Sequence, residues 1–459
     1  MVTSRDRFLV HWTTFVQCLV QSMVLSVRSR YIGIPLALGF AALTLLFLRL
    51  SLGRDPQPNP STPDKPEIRP LPIYKTDIET PSPSPLPEFF PLAAKAKSPN
   101  DLPPVPSWNR PPTPHVAETT RLFIGFTRFW PLLQQVIVSY ITAGWPPEDI
   151  YVVENTGTMD SNKHGRLTPE NPFYLDYNRL TKILGVNVIT TPSLQTFAQL
   201  QNLYLSEAIN NNLSYYFWGH MDVVAQSHED QVPYKSLYMR AVDVIRETQE
   251  PGYKKDDQGR DHRWAIQFFS YDWLAMVNTA AFVEIGGWDT MIGYYSTDCD
   301  MHSRIAMAGL KAPIADAGQV FDVGTSMDDL EVLYRRRPKS SAAPSNTKRG
   351  NGTDGPNAAY FAKTEEDECG SQQWKDLQDR LEQMAQEKRD DVYRNSWQKR
   401  QNGGKGEPFY YDPAGFEKAL QMTIHVGTEV YEEKWGHRGC NLGETKLGLG
   451  DMWRVEHDW

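Results

Sequence analysis

The sequence predicts an α/β domain, a mainly parallel sheet flanked by helices, carried behind one transmembrane helix and a proline-rich stem. Three observations predict it. Short apolar runs alternate with segments of helical period between residues 121 and 324, as in strand–helix–strand units. Tyr31–Leu52 is apolar over about the length a helix needs to cross a bilayer. Between these regions, Asp55–Pro114 holds 19 of the chain's 34 prolines.

In chain order, residues 1–30 form the expected cytoplasmic tail, with Arg5, Arg7, Arg28 and Arg30 on the cytosolic side. Phe8–Val27 is apolar but interrupted by His11, Gln17 and Gln21, and reads as an interfacial helix, with a second span as the alternative. Tyr31–Leu52 follows as a signal anchor; its one charge, Arg49, lies near the end and can snorkel. Residues 53–117 are the stem. Proline donates no hydrogen bond and resists helix, so this stretch is expected extended and largely unfolded.

Residues 118–459 make the folded domain. Arg121–Phe126 reads as a buried strand ending in Thr127 and Arg128. Trp130–Ala143 carries Leu132, Leu133, Val136, Ile137, Tyr140 and Ile141 at helical spacing. Ile150–Val153 is a second strand, leading into Glu154 and Asn155; Val186–Thr190 is a third. Phe197–Ile209 is a helix and Tyr215–Trp218 a fourth strand. In an open parallel sheet a ligand sits beyond the carboxyl ends of the strands. Thr127, Arg128, Glu154, Asn155, His220 and Asp222 therefore share one rim. Trp264–Ser270 and Val320–Gly324 read as further strands, with a strand and helix between Trp273 and Val283. A polar loop is expected near 337–366, a solvated helix over Trp374–Arg394, and an aromatic-rich tail over Phe409–Trp459.

The net charge is −9, although the first 54 residues carry six Arg against one Asp, so the body is acidic. That excludes nucleic acid as a partner. Of 4 Cys, Cys18 precedes the membrane segment and Cys299 lies in an acidic motif, leaving Cys369 and Cys440 as the expected lumenal pair. Asn212-Leu213-Ser214 and Asn351-Gly352-Thr353 are glycosylation sequons.

The chemistry concentrates in Phe282–Gly309. Gly286-Gly287 permits a sharp turn, and Trp288-Asp289 sets an aromatic beside a carboxylate. Asp298 and Asp300 open a helix, where negative charge meets unpaired N–H groups; capping acids would look the same. The order Gly286, Gly287, Trp288, Asp289, Asp298, Asp300, Arg304, Gly309 resembles the acceptor and catalytic-base segment of family-2-type glycosyltransferases with the GT-A fold. Thr297 stands where that family usually has Glu, and the likeness extends loosely from Arg121 to Gly324.

The resemblance implies a nucleotide-sugar donor, a glycan or glycoconjugate acceptor and inversion, with Asp298 as general base. Gly287, Trp288, Asp289 and Asp300 would bind the acceptor; Thr127, Arg128, Glu154 and Asn155 the donor. It also implies a divalent metal, Mn²⁺ or else Mg²⁺, held against the donor's pyrophosphate. His220-Met221-Asp222 replaces the family's Asp-x-Asp, and Asp322 stands where a late His ligand is usual. His220 also reads as a plain strand-end residue, and His425 is a rival ligand. One span and a proline-rich stem are the plan of a type II Golgi enzyme with a lumenal catalytic domain. A sugar-binding or scaffolding protein on this fold, and a nucleotide-sugar hydrolase, are the alternatives.

Overall fold

The computed structural model describes residues 85–250, 263–335, 369–391, 403–407 and 412–459, with 395, 398 and 401. The chain divides into Met1–Glu79 and Thr80–Trp459, and the described residues all belong to the second unit. The expected tail, membrane helix, first half of the stem, 337–366 loop and Asn351 sequon lie outside them. Among the described residues no helix is long and apolar enough to cross a membrane.

Among the described residues eight strands form two sheets: β1 Leu122–Phe126, β2 Ile150–Glu154, β3 Asn187–Thr190, β4 Tyr215–Gly219, β5 Val223–Gln226, β6 Ile266–Phe268, β7 Leu274–Asn278 and β8 Gln319–Asp322. The main sheet runs β3-β2-β1-β4-β7-β6. Its first four strands are parallel, and β7 and β6 continue it antiparallel. This is the mixed, mainly parallel α/β sheet expected from the sequence. β5 and β8 pair separately as an antiparallel ribbon.

Alternation along the strands sends side chains to two cores. Leu122, Ile124 and Phe126 of β1 and Phe217 of β4 enter one, packed under α2 Trp130–Thr142 and α4 Leu237–Gln249. Phe123, Tyr216 and Trp218 enter the other, with α3 Phe197–Asn210, α5 Thr279–Glu284 and α6 Thr297–Met307. Sequence dictates these helices locally. Thr196 and Gln199 form a capping box at α3, each side chain meeting the other's backbone N–H. Gly125 lets α3 lie close, since a Cβ there would stand 2.5 Å from Leu200 Cδ2.

Two expectations are corrected. From residue 85 the stem is not extended in solvent but lies on the domain, with a short helix α1 Pro91–Lys95. Phe90 is fully buried, 5.9 Å from the Tyr334 ring, and Phe89 O accepts from Leu330 N. Proline's missing donor does not prevent neighbouring aromatics from reaching a core. The charged helix near Trp374 is α7 Gln372–Asp390, and only one face is solvated. Trp374, Leu377, Leu381, Met384 and Lys388 fall on one stripe and are buried. The final helix is α8 Pro413–Trp435, capped by Asp412 and ended by Gly436 at φ 59°.

Candidate active site

The parallel pairing places the expected rim. Register Phe126↔Glu154 and Ile124↔Gly219 makes β1, β2 and β4 release Thr127–Arg128, Glu154–Asn155 and His220–Asp222 at one edge. Phe129, next to Arg128, holds a left-handed backbone at φ 76°, the kind of strain that gathers at functional sites. Arg128 is buried, its guanidinium 4.8 Å above the Phe416 ring and donating to Gln398 Oε1 at 3.2 Å. Thr127 is half-buried at the strand's end.

The structure turns two expected donor residues inward. Glu154 accepts from Asn162 Nδ2 at 2.7 Å, Thr156 Oγ1 at 3.2 Å and the Tyr177 hydroxyl, and is 1 % exposed. Asn155 accepts from Gln195 N at 2.7 Å and donates to Gln195 O at 2.9 Å, tying two loops together. Both groups are used by the fold rather than presented to a nucleotide.

Asp222 and Asp322 do come together, although they lie a hundred residues apart. Asp222 immediately precedes β5, Asp322 ends β8, and the ribbon pairs Val223 with Asp322. Between their carboxylates lies a third side chain that the sequence reading missed. Lys388 Nζ donates to Asp222 Oδ2 at 2.7 Å, Asp322 Oδ1 at 2.5 Å and Val323 O at 3.4 Å. Burial pushes the Asp222 carboxyl up, but the Lys388 ammonium and His220 outweigh it and hold it below the usual carboxylate range. His220 Nδ1 stands 3.8 Å from Asp222 and its Nε2 3.8 Å from Asp272. That Nε2 is buried and makes no hydrogen bond.

The residues present do not fit the expected divalent cation. Mn²⁺ or Mg²⁺ needs a cage of oxygen or imidazole ligands open to it. Here an ammonium already lies within hydrogen-bond distance of both carboxylates. Among the described residues no group of three His, Cys, Asp or Glu is placed to hold a metal. His425 is 74 % exposed on α8, 3.0 Å from Glu429.

The motif Phe282–Gly309, expected to bind an acceptor, is a structural lock with one open carboxylate. Arg304 Nη1 donates to Ile285 O and Gly287 O, each at 2.7 Å, bracing the glycine turn. Asn202 clamps the backbone N and O of Trp288, each at 2.8 Å. The Trp288 ring is 3 % exposed and edge-on to Phe197, so it is a core contact and not an open platform for a sugar. Asp300 is fully buried, held by Arg304 Nε at 2.8 Å, Lys434 Nζ at 2.7 Å and Trp435 Nε1 at 3.0 Å. Asp289 pairs with Lys434 at 2.7 Å. Burial raises the Asp289 carboxyl, but the hydrogen bonds from Lys434 and the Met291 N–H, with the charges of Lys434 and Arg304, together hold it below the usual carboxylate range.

Asp298 differs. It sits in the first turn of α6, half-exposed, and accepts a hydrogen bond from Cys299 N at 2.9 Å. His302, one turn on, feels both Asp298 and Asp272; burial keeps its imidazole below the ordinary value. Asp272 thus stands between His220 on the rim and His302 beside Asp298. Two exposed aromatics flank these acids, Tyr271 and Tyr295, with left-handed backbones at φ 47° and 25°. Only their bulk at strained turns, invisible in composition, marks them.

The disulfide is also corrected: Cys299 bonds Cys440, and Cys369 is free, donating to Glu229 O at 3.4 Å. The bridge ties α6 to the chain after α8.

The chain matches no protein-family profile and no curated protein. Solved structures give distant likenesses. One is a mannosyltransferase, PcManGT, from Pyrobaculum calidifontis in complex with GDP-Man and Mn²⁺: 14 % identity, TM-score 0.29, 46 % of this chain and 58 % of that one. Another is the catalytic domain of Drosophila β1,4-galactosyltransferase 7 with xylobiose: 13 %, 0.24, 43 % and 65 %. A third is S. aureus TarS: 10 %, 0.28, 43 % and 35 %. In each case this chain spans less than two thirds of the other protein. Likenesses this distant carry no argument about activity.

Proposed function

We propose that this chain transfers a sugar from a nucleotide donor to a glycan or glycoconjugate hydroxyl, with inversion and with Asp298 as general base. One observation carries the reading. Asp289 and Asp300 are locked by cations, while Asp298 alone in that motif keeps a half-exposed carboxylate without an ion pair among the described residues. Its position is supported indirectly: His302 feels both Asp298 and Asp272, and Asp272 lies 3.8 Å from His220 on the rim that an α/β sheet offers to a ligand.

In this reading the donor lies along the ends of β1 and β4, beside Arg128 and His220. The acceptor enters past Tyr271 and Tyr295, whose exposed rings suit the apolar faces of sugars. Its hydroxyl gives its proton to Asp298 as the oxygen bonds the anomeric carbon. The bond from that carbon to the nucleoside diphosphate breaks, and its electron pair leaves with the phosphate. Asp298 attacks nothing itself, so configuration inverts. No step is routed through a divalent cation. A type II Golgi location belongs to the same proposal, supported by the Cys299–Cys440 bridge, suited to an oxidising lumen, and by the exposed Asn212 sequon, suited to a secretory one.

Donor turnover by the purified protein, measured with and without a panel of glycan acceptors, tests it. Acceptor-dependent turnover supports transfer; acceptor-independent turnover marks a hydrolase, and none marks a sugar-binding protein. Asp298→Asn keeps size but cannot take the proton, and should lower kcat by roughly 10²–10⁴-fold with donor binding kept. A fully active variant, or a product retaining the donor's configuration, would overturn the mechanism.

A further inference from the structure

We propose that Lys388 takes the divalent cation's place between Asp222 and Asp322, so that this chain binds its nucleotide donor with no metal held by those carboxylates. The argument starts from the phase of α7. Trp374, Leu377, Leu381 and Met384 form its buried stripe, and Lys388 continues that stripe toward the helix's end. A solvated helix would turn this lysine outward. Instead its side chain is 2 % exposed and its ammonium lies between the two carboxylates that the β5–β8 ribbon brings together.

The chemistry is that of a saturated site. An ammonium has three N–H donors. They meet Asp222 Oδ2, Asp322 Oδ1 and Val323 O. Two buried carboxylates would repel each other, and one positive charge between them relieves this where a dication is otherwise expected. A metal would have to displace a hydrogen-bonded ammonium from the interior before gaining either ligand. Lys388 does not itself reach the donor. It fixes the carboxylates at the rim, which makes it a positioning residue. The donor's phosphates are left to the cationic group of the same rim, Arg128. The statement about the donor rests on the transferase reading; the statement about Mn²⁺ does not.

The test uses the full chain and Mn²⁺ alone, its binding read by water-proton relaxation. The wild type should show no stoichiometric site, and UDP and GDP affinities should agree within about twofold between Mn²⁺ and EDTA. Lys388→Met keeps length and apolar stem but removes the charge. It should gain Mn²⁺ binding at least about tenfold over wild type, with a rise in melting temperature on adding Mn²⁺ that Asp322→Asn in the same background abolishes. A wild-type Mn²⁺ site that depends on Asp222 overturns the proposal, and so does a folded Lys388→Met protein with no gain in binding. Should that variant not fold, the wild-type measurement decides alone. Failure of every nucleoside diphosphate to bind in either buffer overturns the transferase reading and the donor statement, while the Mn²⁺ results still decide the part played by Lys388.

Discussion

Two lysines, each from a helix beyond the region that resembles a glycosyltransferase, close two pairs of aspartates within it. Lys388 of α7 joins Asp222 to Asp322, and Lys434 of α8 joins Asp289 to Asp300. The knots look alike but differ in place. At Lys434, Asp300 also meets Arg304, and Trp435 and the Cys299–Cys440 bridge seal that knot. The Lys388 knot lies beside a half-exposed histidine at the edge of the sheet. A sealed knot is architecture; one at the edge of a sheet, where ligands bind, is where function is to be sought.

The comparison breaks most sharply on deletion of the lysines. Lys434→Met strands Asp289 and leaves Asp300 with Arg304; removing one partner of a buried pair costs about 3–5 kcal/mol. Lys388→Met should cost a similar amount by the same principle. Urea melts with and without Mn²⁺ separate the two: the ion should recover stability at the Asp222 knot and leave the Asp300 knot unchanged. Equal response at both sites would erase the distinction drawn between them.

A smaller loss is expected at the bridge. Cys440→Ser opens a loop closed across a separation of 141 residues. The usual range for such a cross-link is about 2–4 kcal/mol. Because Cys440 follows α8 closely, the Cys440→Ser and Lys434→Met losses should not add, whereas Cys440→Ser and Lys388→Met should. Additivity in the first pair would mean that the bridge does not serve the Asp289–Asp300 knot.

These partners explain what was and was not legible in the sequence. Strands β1, β2, β3 and β4 are apolar runs, and the rim follows from their parallel order. Asp298 at a helix start is likewise readable from local pattern. The ribbon that joins Asp222 to Asp322 is non-local, and pairing between distant strands leaves no periodic trace. Glu154 was misplaced because its partners Asn162 and Tyr177 lie in an aperiodic stretch. Pairing cysteines by elimination has no access to distance, so it misses Cys299–Cys440. Lys388 did leave a signal, a charge in phase with Trp374, Leu377 and Leu381, but charge density in the helix suggested solvent. Lys434 had no such warning, since Arg304 and Asp300 reveal their third partner only in space.

Acid provides the mildest and most reversible probe of the same contrast. The Asp222 and Asp289 carboxyls are both held below the ordinary value, 3.8, despite the opposing effect of burial. A depressed folded pKa means that the folded state binds fewer protons than the unfolded chain. The stability each contributes is therefore complete above the unfolded value and is lost as pH falls through the folded one. Urea midpoints should be flat from pH 5 upward on this account and fall below about pH 4. The loss is small beside that of the lysine deletions, because protonation removes charge without removing packing. Asp222 is the more deeply buried and Asp289 the more screened by solvent. Asp222→Asn should therefore flatten the acid limb more than Asp289→Asn does, even though Lys434 has Asp300 and Arg304 around it to hold the second knot. An acid limb that both substitutions leave unchanged would show that neither carboxylate is held by its lysine in solution.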